Sequence, residues 1–188
     1  PKNVHRNSLL QLLEVYVPED DTDRAQRDRI VGFVRENPDC FERTLPIGHI
    51  TGAAWLLDRS RSRVLLTHHR KLGRWLQLGG HADGDPNVLE VALREAREES
   101  GIGDIRPLST AIFDVDVHPI PARDSEPQHF HYDIRFLLGV TDTEEFEVSE
   151  ESHDLAWVAM SEVPNIDTDG SVLRMHRKWL NKSKVGCS

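Results

Sequence analysis

The chain has 188 residues, 38% hydrophobic and 29% charged, with a formal net charge of −9. That length suits one domain with an extension and can bury a sizeable core, and the composition is that of a soluble globular protein. The acidic balance argues against a sequence-independent surface for a nucleic-acid polymer, which needs clustered Lys and Arg, but it admits a small phosphorylated substrate.

No internal repeat or low-complexity linker divides the chain. The first forty residues are expected to be helical. Ser8 is the expected cap of LLQLLEVYV, which Pro18 ends, and Asp21 or Asp23 the cap of RAQRDRIVGFVREN, which Pro38 stops. Ile30, Val31, Phe33 and Val34 form an apolar cluster there, expected to pack on the main domain or on a second subunit of a homodimer. From His49 the pattern changes to short, apolar, partly β-branched runs. HITGAAWLL and SRVLLTHH predict a hairpin, and RWLQL a third strand leading into Gly79-Gly80. A loop and a helix over residues 87–100 follow, with Gly101 as the C-terminal stop. STAIFDVDVHPI and FHYDIRFLLGV alternate as strands do, and LAWVAM is one more strand candidate. The last helix, SVLRMHRKWLN, carries Val172, Leu173, Met175, His176, Trp179 and Leu180 as one apolar stripe. Strands around one central and one terminal helix imply an α/β domain with a mixed sheet between helices.

REAREESGI concentrates carboxylates at residues 94–102. On a helix of about 100° per residue, Glu95, Glu98 and Glu99 share one face, while Leu89, Leu93 and Ala96 share the core side. Like charges at i, i+4 destabilise a helix slightly. A divalent cation reverses that sign, and Mg²⁺ binds through a few carboxylates plus substrate phosphates. The bland alternative is a solvated charged face. The preceding loop LGGHADGD weighs against it, because Gly79 and Gly80 permit close backbone approach and the helix N-terminus favours anions. An EF-hand reading of DGDPN fails, since Val88 and Arg94 stand where Gly and Glu are required.

The stretch GHADGDPNVLEVALREAREESGI, residues 80–102, resembles the signature of the Nudix hydrolases (MutT-like), G-x5-E-x7-R-E-U-x-E-E-x-G-U. Gly80, Arg94, Glu95, Glu98, Glu99, Gly101 and Ile102 match, and Ala96 is a small substitute at the first U. The order of strands and helices from about His49 to Leu180 fits as well. One departure stands out: Pro86 occupies the place of the first Glu, so Asp85, Asp83 or Glu90 must support Arg94.

The resemblance implies an α/β/α sandwich with a mixed β-sheet over residues 47–183, preceded by a helical extension over residues 1–46. It implies hydrolysis of a nucleoside diphosphate linked to another moiety: ADP-ribose, a nucleotide sugar or a nucleoside triphosphate. Glu95, Glu98 and Glu99, with the Gly79 carbonyl, are the implied ligands of Mg²⁺ or Mn²⁺. Arg94 buttresses the loop, and Arg97 is expected on the surface. The general base is either a box glutamate, Glu98, or a loop glutamate before the last strand, Glu150 or preferably Glu151; a solvated acidic loop is the alternative for the latter.

HFHYD puts His129, His131 and Asp133 on one strand face. With His81, and His68 and His69 nearby, they suit either a transition-metal site or, the favoured reading, contact with substrate. Trp75 is a candidate to stack on a base, with core packing its alternative. A non-catalytic nucleotide or metabolite sensor on this fold competes as a function, but retention of all three glutamates argues against it. Isopentenyl diphosphate isomerase, also on this fold, needs an active-site cysteine, and the two cysteines, Cys40 and Cys187, are poorly placed for one. They have no metal-ligand or disulfide spacing, as expected of free thiols in the cytoplasm. The longest apolar runs, such as AAWLL, are too short for a bilayer, so no membrane partner is expected. PKNVHRNSLLQLL lacks the features of a signal peptide; the sequence begins at Pro1, so an initiator Met or more is expected before it.

Overall fold

Alternation along residues 129–140 sets the two faces of the fold. Tyr132, Ile134, Phe136 and Leu138 point into one apolar core, and Leu137 into another, with Asp133 and Arg135 buried on the same side as Leu137. A computed structural model describes residues 2–123, 126–148 and 152–185. In chain order its elements are α1 (Lys2–Val15), α2 (Asp21–Glu36), β1 (Gly48–Leu57), β2 (Arg63–His69), β3 (Arg74–Leu76), β4 (Leu78–His81), α3 (Val88–Ser100), β5 (Ile105–Pro107), β6 (Asp114–Ile120), β7 (His129–Val140), β8 (Ser152–Ala159) and α4 (Gly170–Val185). These form the mixed α/β architecture expected, with helices on both faces of the sheet and two helices ahead of it.

β1 and β7 run parallel at the centre, and the other described pairings between these strands are antiparallel. The outer edge of β1 is shared, with β4 lying beside residues 51–54 and β2 meeting Leu57. This division splits RWLQL into two strands, because Trp75 pairs with β2 whereas Leu78 pairs with β1. STAIF is not strand. Phe113 N–H donates to the Arg135 carbonyl and Leu108 N–H to the Leu137 carbonyl, so residues 108–113 loop out opposite a much shorter stretch of β7. The short strand β5 had no signal in the sequence.

The first core lies between α1, α2, α3 and one sheet face. Phe33 of α2 stacks on Tyr132 of β7 at 3.8 Å, and the Arg29 guanidinium lies 4.3 Å from the Phe130 ring centre. The apolar cluster of α2 therefore packs on the chain's own sheet. Ser8 lies inside α1 rather than capping it. Asp20 caps α2, accepting from Asp23 N–H, and Asp23 itself is buried.

The second core lies under α4, with Trp55, Leu66, Phe113, Val172, Met175 and Trp179. The expected stripe on α4 needs correction: Leu173 and Leu180 are 39% and 37% exposed, while Lys178 is buried. Lys178 turns inward because its ammonium meets Asp114 at 2.7 Å and Asp23 at 2.9 Å. Tyr16, the residue after α1, donates to Asp23 at 2.8 Å, so it shares one buried ionic knot with α2, β6 and α4. Arg135 and Arg174 complete it from β7 and α4. Burial raises the Asp114 carboxyl, but Arg174, Arg135 and Lys178 outweigh it and hold it below the usual carboxylate range. No helix among the described residues is long and apolar enough to cross a membrane.

Candidate active site

α3 forms where the sequence asks for it. The Asn87 side chain accepts the Glu90 N–H, and Gly101 ends the helix in the left-handed region at φ 73°. Val88, Val91, Ala92, Leu93 and Ala96 are buried against the sheet. That orientation leaves Glu95 and Glu99 half-buried at the helix edge beside β4 and Glu98 exposed next to them. Glu99 Oε1 accepts from Gly79 N–H at 3.1 Å. The Glu95 carboxylate lies where a Cβ at position 80 would sit, so a side chain there would displace it from its place beside β4. The structure thus brings Gly79, Glu95 and Glu99 together, with Glu98 alongside. Burial pushes the Glu95 carboxyl up against the pull of Arg94, and the Glu98 charge adds to the rise. Crowded carboxylates of this kind, offering only oxygen donors, suit a hard divalent cation.

The loop between β4 and α3 shows how Arg94 is held without the usual glutamate. Asp83 and Gly84 have φ 50° and 84°, and Asp85 N–H donates to the Ala82 carbonyl at 3.0 Å, giving the Asp-Gly turn with both central residues left-handed. Asp85 then uses both carboxylate oxygens. Oδ1 accepts Asn87 N–H at 2.9 Å, bridging Pro86, and Oδ2 faces Arg94 at 3.8 Å. Arg94 also donates to the His81 carbonyl at 3.0 Å and to Glu95 at 3.3 Å. Of the three acids considered for this task, Asp85 is the one whose carboxylate comes within ion-pair range of Arg94, whereas Asp83 pairs with Arg43 at 2.5 Å. Asp85→Ala is expected to lower kcat/KM about tenfold, the scale for residues that orient a metal ligand. Asp85→Asn should lose as much, because it keeps the acceptor for Asn87 but not the charge facing Arg94. Steady-state kinetics of both variants decide this, and unchanged kcat/KM would remove Asp85 from the site.

The histidines gather on the other side of β4. Successive residues of a strand point to opposite faces, so Gly80 meets Glu95 while His81 turns away. Its ring centre is 5.0 Å from that of His49 and 5.2 Å from that of His131. His49 and His131 are register partners across β1 and β7, with ring centres 4.8 Å apart, and His129 lies 5.1 Å from His49. His118 of β6 adds a fifth ring 5.5 Å from His131. Asp133 does not join them, because Thr51 and Arg135 each hold it at 2.8 Å. Trp75 lies apart from the cluster. It packs at the margin of the second core and edge-on to His68, 5.2 Å away, which favours the packing role over base stacking. Glu150 and Glu151 lie outside the described residues. Arg97 is not a free surface residue: it is half-buried and donates to the Ile105 carbonyl at 3.1 Å, tying α3 to β5.

The NUDIX domain family model matches residues 48–180. The chain belongs to the NUDIX family. With that membership goes its reaction class, hydrolysis of phosphoanhydride bonds. Among solved structures, a Caenorhabditis elegans Ap4A hydrolase binary complex is 14% identical with a TM-score of 0.58, covering 72% of this chain and 97% of that one. A NUDIX family hydrolase from Clostridium perfringens is 22% identical with a TM-score of 0.54, over 70% and 95% of the two chains. The Mycobacterium smegmatis Nudix hydrolase RenU is 18% identical with a TM-score of 0.52, over 74% and 87%. At these identities the likeness establishes the fold. No curated protein matches the chain.

Two contributions to this NUDIX site had no signal in the sequence. Phe41 and Arg43, from the segment before the domain match, support the box loop: the Phe41 carbonyl accepts Gly84 N–H at 2.9 Å, and Arg43 holds Asp83. His49 was visible only as a strand residue, and its meeting with His131 depends on the parallel register of β1 and β7. Burial, with neighbouring histidines adding to it, pushes the His49 imidazole down to about 4 and that of His131 down to about 2. In the unfolded chain both titrate near 6.5. As pH falls below that value the unfolded state takes up protons the folded state refuses. Stability is therefore fully present above about pH 6.5 and is lost on acidification, by up to about 1.4 kcal/mol per unit for each group. Urea unfolding in metal-free buffer should show a midpoint falling between pH 7 and 5 in the native sequence and flattening in His49→Gln. A midpoint constant over that range contradicts the neutral cluster.

Proposed function

We propose that this NUDIX protein is a Mg²⁺- or Mn²⁺-dependent pyrophosphohydrolase of a nucleoside diphosphate linked to another moiety, of the ADP-ribose, nucleotide-sugar or nucleoside triphosphate kind. The observation that carries the reading is the convergence of Glu95 and Glu99 on the Gly79-Gly80 backbone, with Glu98 alongside and Arg94 fixed by Asp85. Glu95, Glu98 and Glu99, with the carbonyl of Gly79, are the assigned metal ligands. A divalent ion there supplies charge neutralisation for phosphate oxygens and acidifies a water. The chain's own part is positional. Arg94 fixes the loop, so its role is one of positioning. Glu98, the most exposed of the three, is assigned to orient the attacking water, and Glu151 is kept as the alternative proton acceptor. His81, His129 and His131 line the other side of β4.

The buried Cys40 thiol, pushed up to about 12 by burial, is a poor acid and so does not support the isomerase alternative. As a buried free thiol it also fits a cytoplasmic location. The test is a panel of nucleoside triphosphates, dinucleoside polyphosphates, ADP-ribose and nucleotide sugars, assayed with Mg²⁺ and with Mn²⁺. Turnover of at least one class is expected. Tight nucleotide binding without turnover of any would instead favour a sensor.

A further inference from the structure

We propose that His49, His129 and His131 form a second metal site, for a borderline transition-metal ion of the Zn²⁺ type, on the opposite side of β4 from the glutamates. One nitrogen from each of the three lies within 4.8 Å of the others. A tetrahedral Zn²⁺ with bonds of about 2.0–2.1 Å needs ligand atoms roughly 3.3 Å apart, so modest ring rotations close the site. The polar bookkeeping points the same way. His49 is 3% exposed, and among the described residues neither of its ring nitrogens has a hydrogen-bond partner in the protein; His131 Nε2 has none either. Buried polar atoms are rarely left so, and two adjacent rings with bare nitrogens this close together are what a metal would satisfy.

His129 adds orientation. Its Nδ1 is 3.0 Å from the Pro127 carbonyl, which can only accept, so Nδ1 carries the proton and Nε2 presents its lone pair. That arrangement, a ring fixed through one nitrogen by a carbonyl, is how metal-binding imidazoles are held. The His81 ring centre lies 5.0 Å from that of His49 and 5.2 Å from that of His131. Nitrogen donors discriminate against Mg²⁺, which prefers oxygen, so the two sites sort their ions by chemistry. An ion here would join β1 to β7 at the end of the sheet that carries the box loop. The proposal does not rest on the assigned activity.

The test uses the full chain and Zn²⁺ alone, by isothermal titration and by metal analysis after desalting. One Zn²⁺ per chain is expected, retained in Glu95→Gln/Glu99→Gln and weakened at least about a hundredfold in His129→Asn/His131→Asn. Circular dichroism and a cooperative unfolding transition confirm that the variants fold. A second measurement needs no substitution: Co²⁺ added to the native chain should give the visible bands of a nitrogen-ligated tetrahedral site. Zn²⁺ held equally well without the histidines, lost with the glutamates, or not bound at all would overturn the site. A rise in KM on His131→Asn without Zn²⁺ binding would likewise overturn it, in favour of direct substrate contact.

Discussion

Glu99→Gln is expected to lower kcat/KM on the order of a hundredfold to a thousandfold for whichever compound the native chain turns over best. The substitution is chosen because a Gln carbonyl can still accept the Gly79 N–H that Glu99 Oε1 now takes at 3.1 Å. The link between α3 and β4 therefore survives, and only the negative charge is lost. The melting temperature should stay within a degree or so of the native value. Glu90→Gln is the control: it removes a carboxylate from the first turn of the same helix, away from the Glu95–Glu99 face, and should leave kcat/KM within about twofold. A loss below fivefold in Glu99→Gln would mean that the carboxylate is structural. A large loss with a collapsed melting temperature would point to the same conclusion.

The largest stability effect is expected at Arg135. Its side chain is 1% exposed and meets Asp133 at 2.8 Å, Asp114 at 3.1 Å and Asp116 at 3.7 Å. Arg174 and Lys178 also reach Asp114, and Arg174 reaches Asp116 at 3.0 Å, but removal of Arg135 takes from buried Asp133 the cation it meets at 2.8 Å. Breaking a buried ionic cluster from one side typically costs about 3–5 kcal/mol. Arg135→Met keeps the volume and should therefore destabilise the chain by that amount in urea unfolding at pH 7. The deficit should shrink at pH 5, because carboxylates that lack their partner take up protons more readily. A deficit below about 1 kcal/mol, or one independent of pH, would show that the knot is not what holds the sheet to α4.

The site and the fold were legible in the sequence to different depths. The carboxylate face of α3 follows from spacing alone, because a helix fixes which residues share a side, and Asn87 and Gly101 mark its ends. Strand pairing is not local in that way. Nothing in HITGAAWLL says that its first residue lies opposite His131, since that depends on β1 and β7 running parallel in one particular register. The buried charges escaped for a related reason. Lys178 and Asp23 each look like ordinary surface residues, and only their meeting across 155 positions makes burial affordable. Trp75 and Leu173 show the converse, where an aromatic or apolar identity alone does not decide which neighbours a side chain finds. The departure at Pro86 was visible from the start, and the structure supplies its compensation in Asp85, which divides its two oxygens between the loop and Arg94.

The central claim is that the face formed by Glu95, Glu98 and Glu99 is where a divalent cation acts. Its most direct test is the Mg²⁺ dependence of turnover, measured for one compound in the native chain and in Glu95→Gln. The native chain should be inactive with EDTA and saturate with Mg²⁺, and the variant should need at least about tenfold more Mg²⁺ for half-saturation. Identical Mg²⁺ curves for the two, or native turnover that survives EDTA, would contradict it.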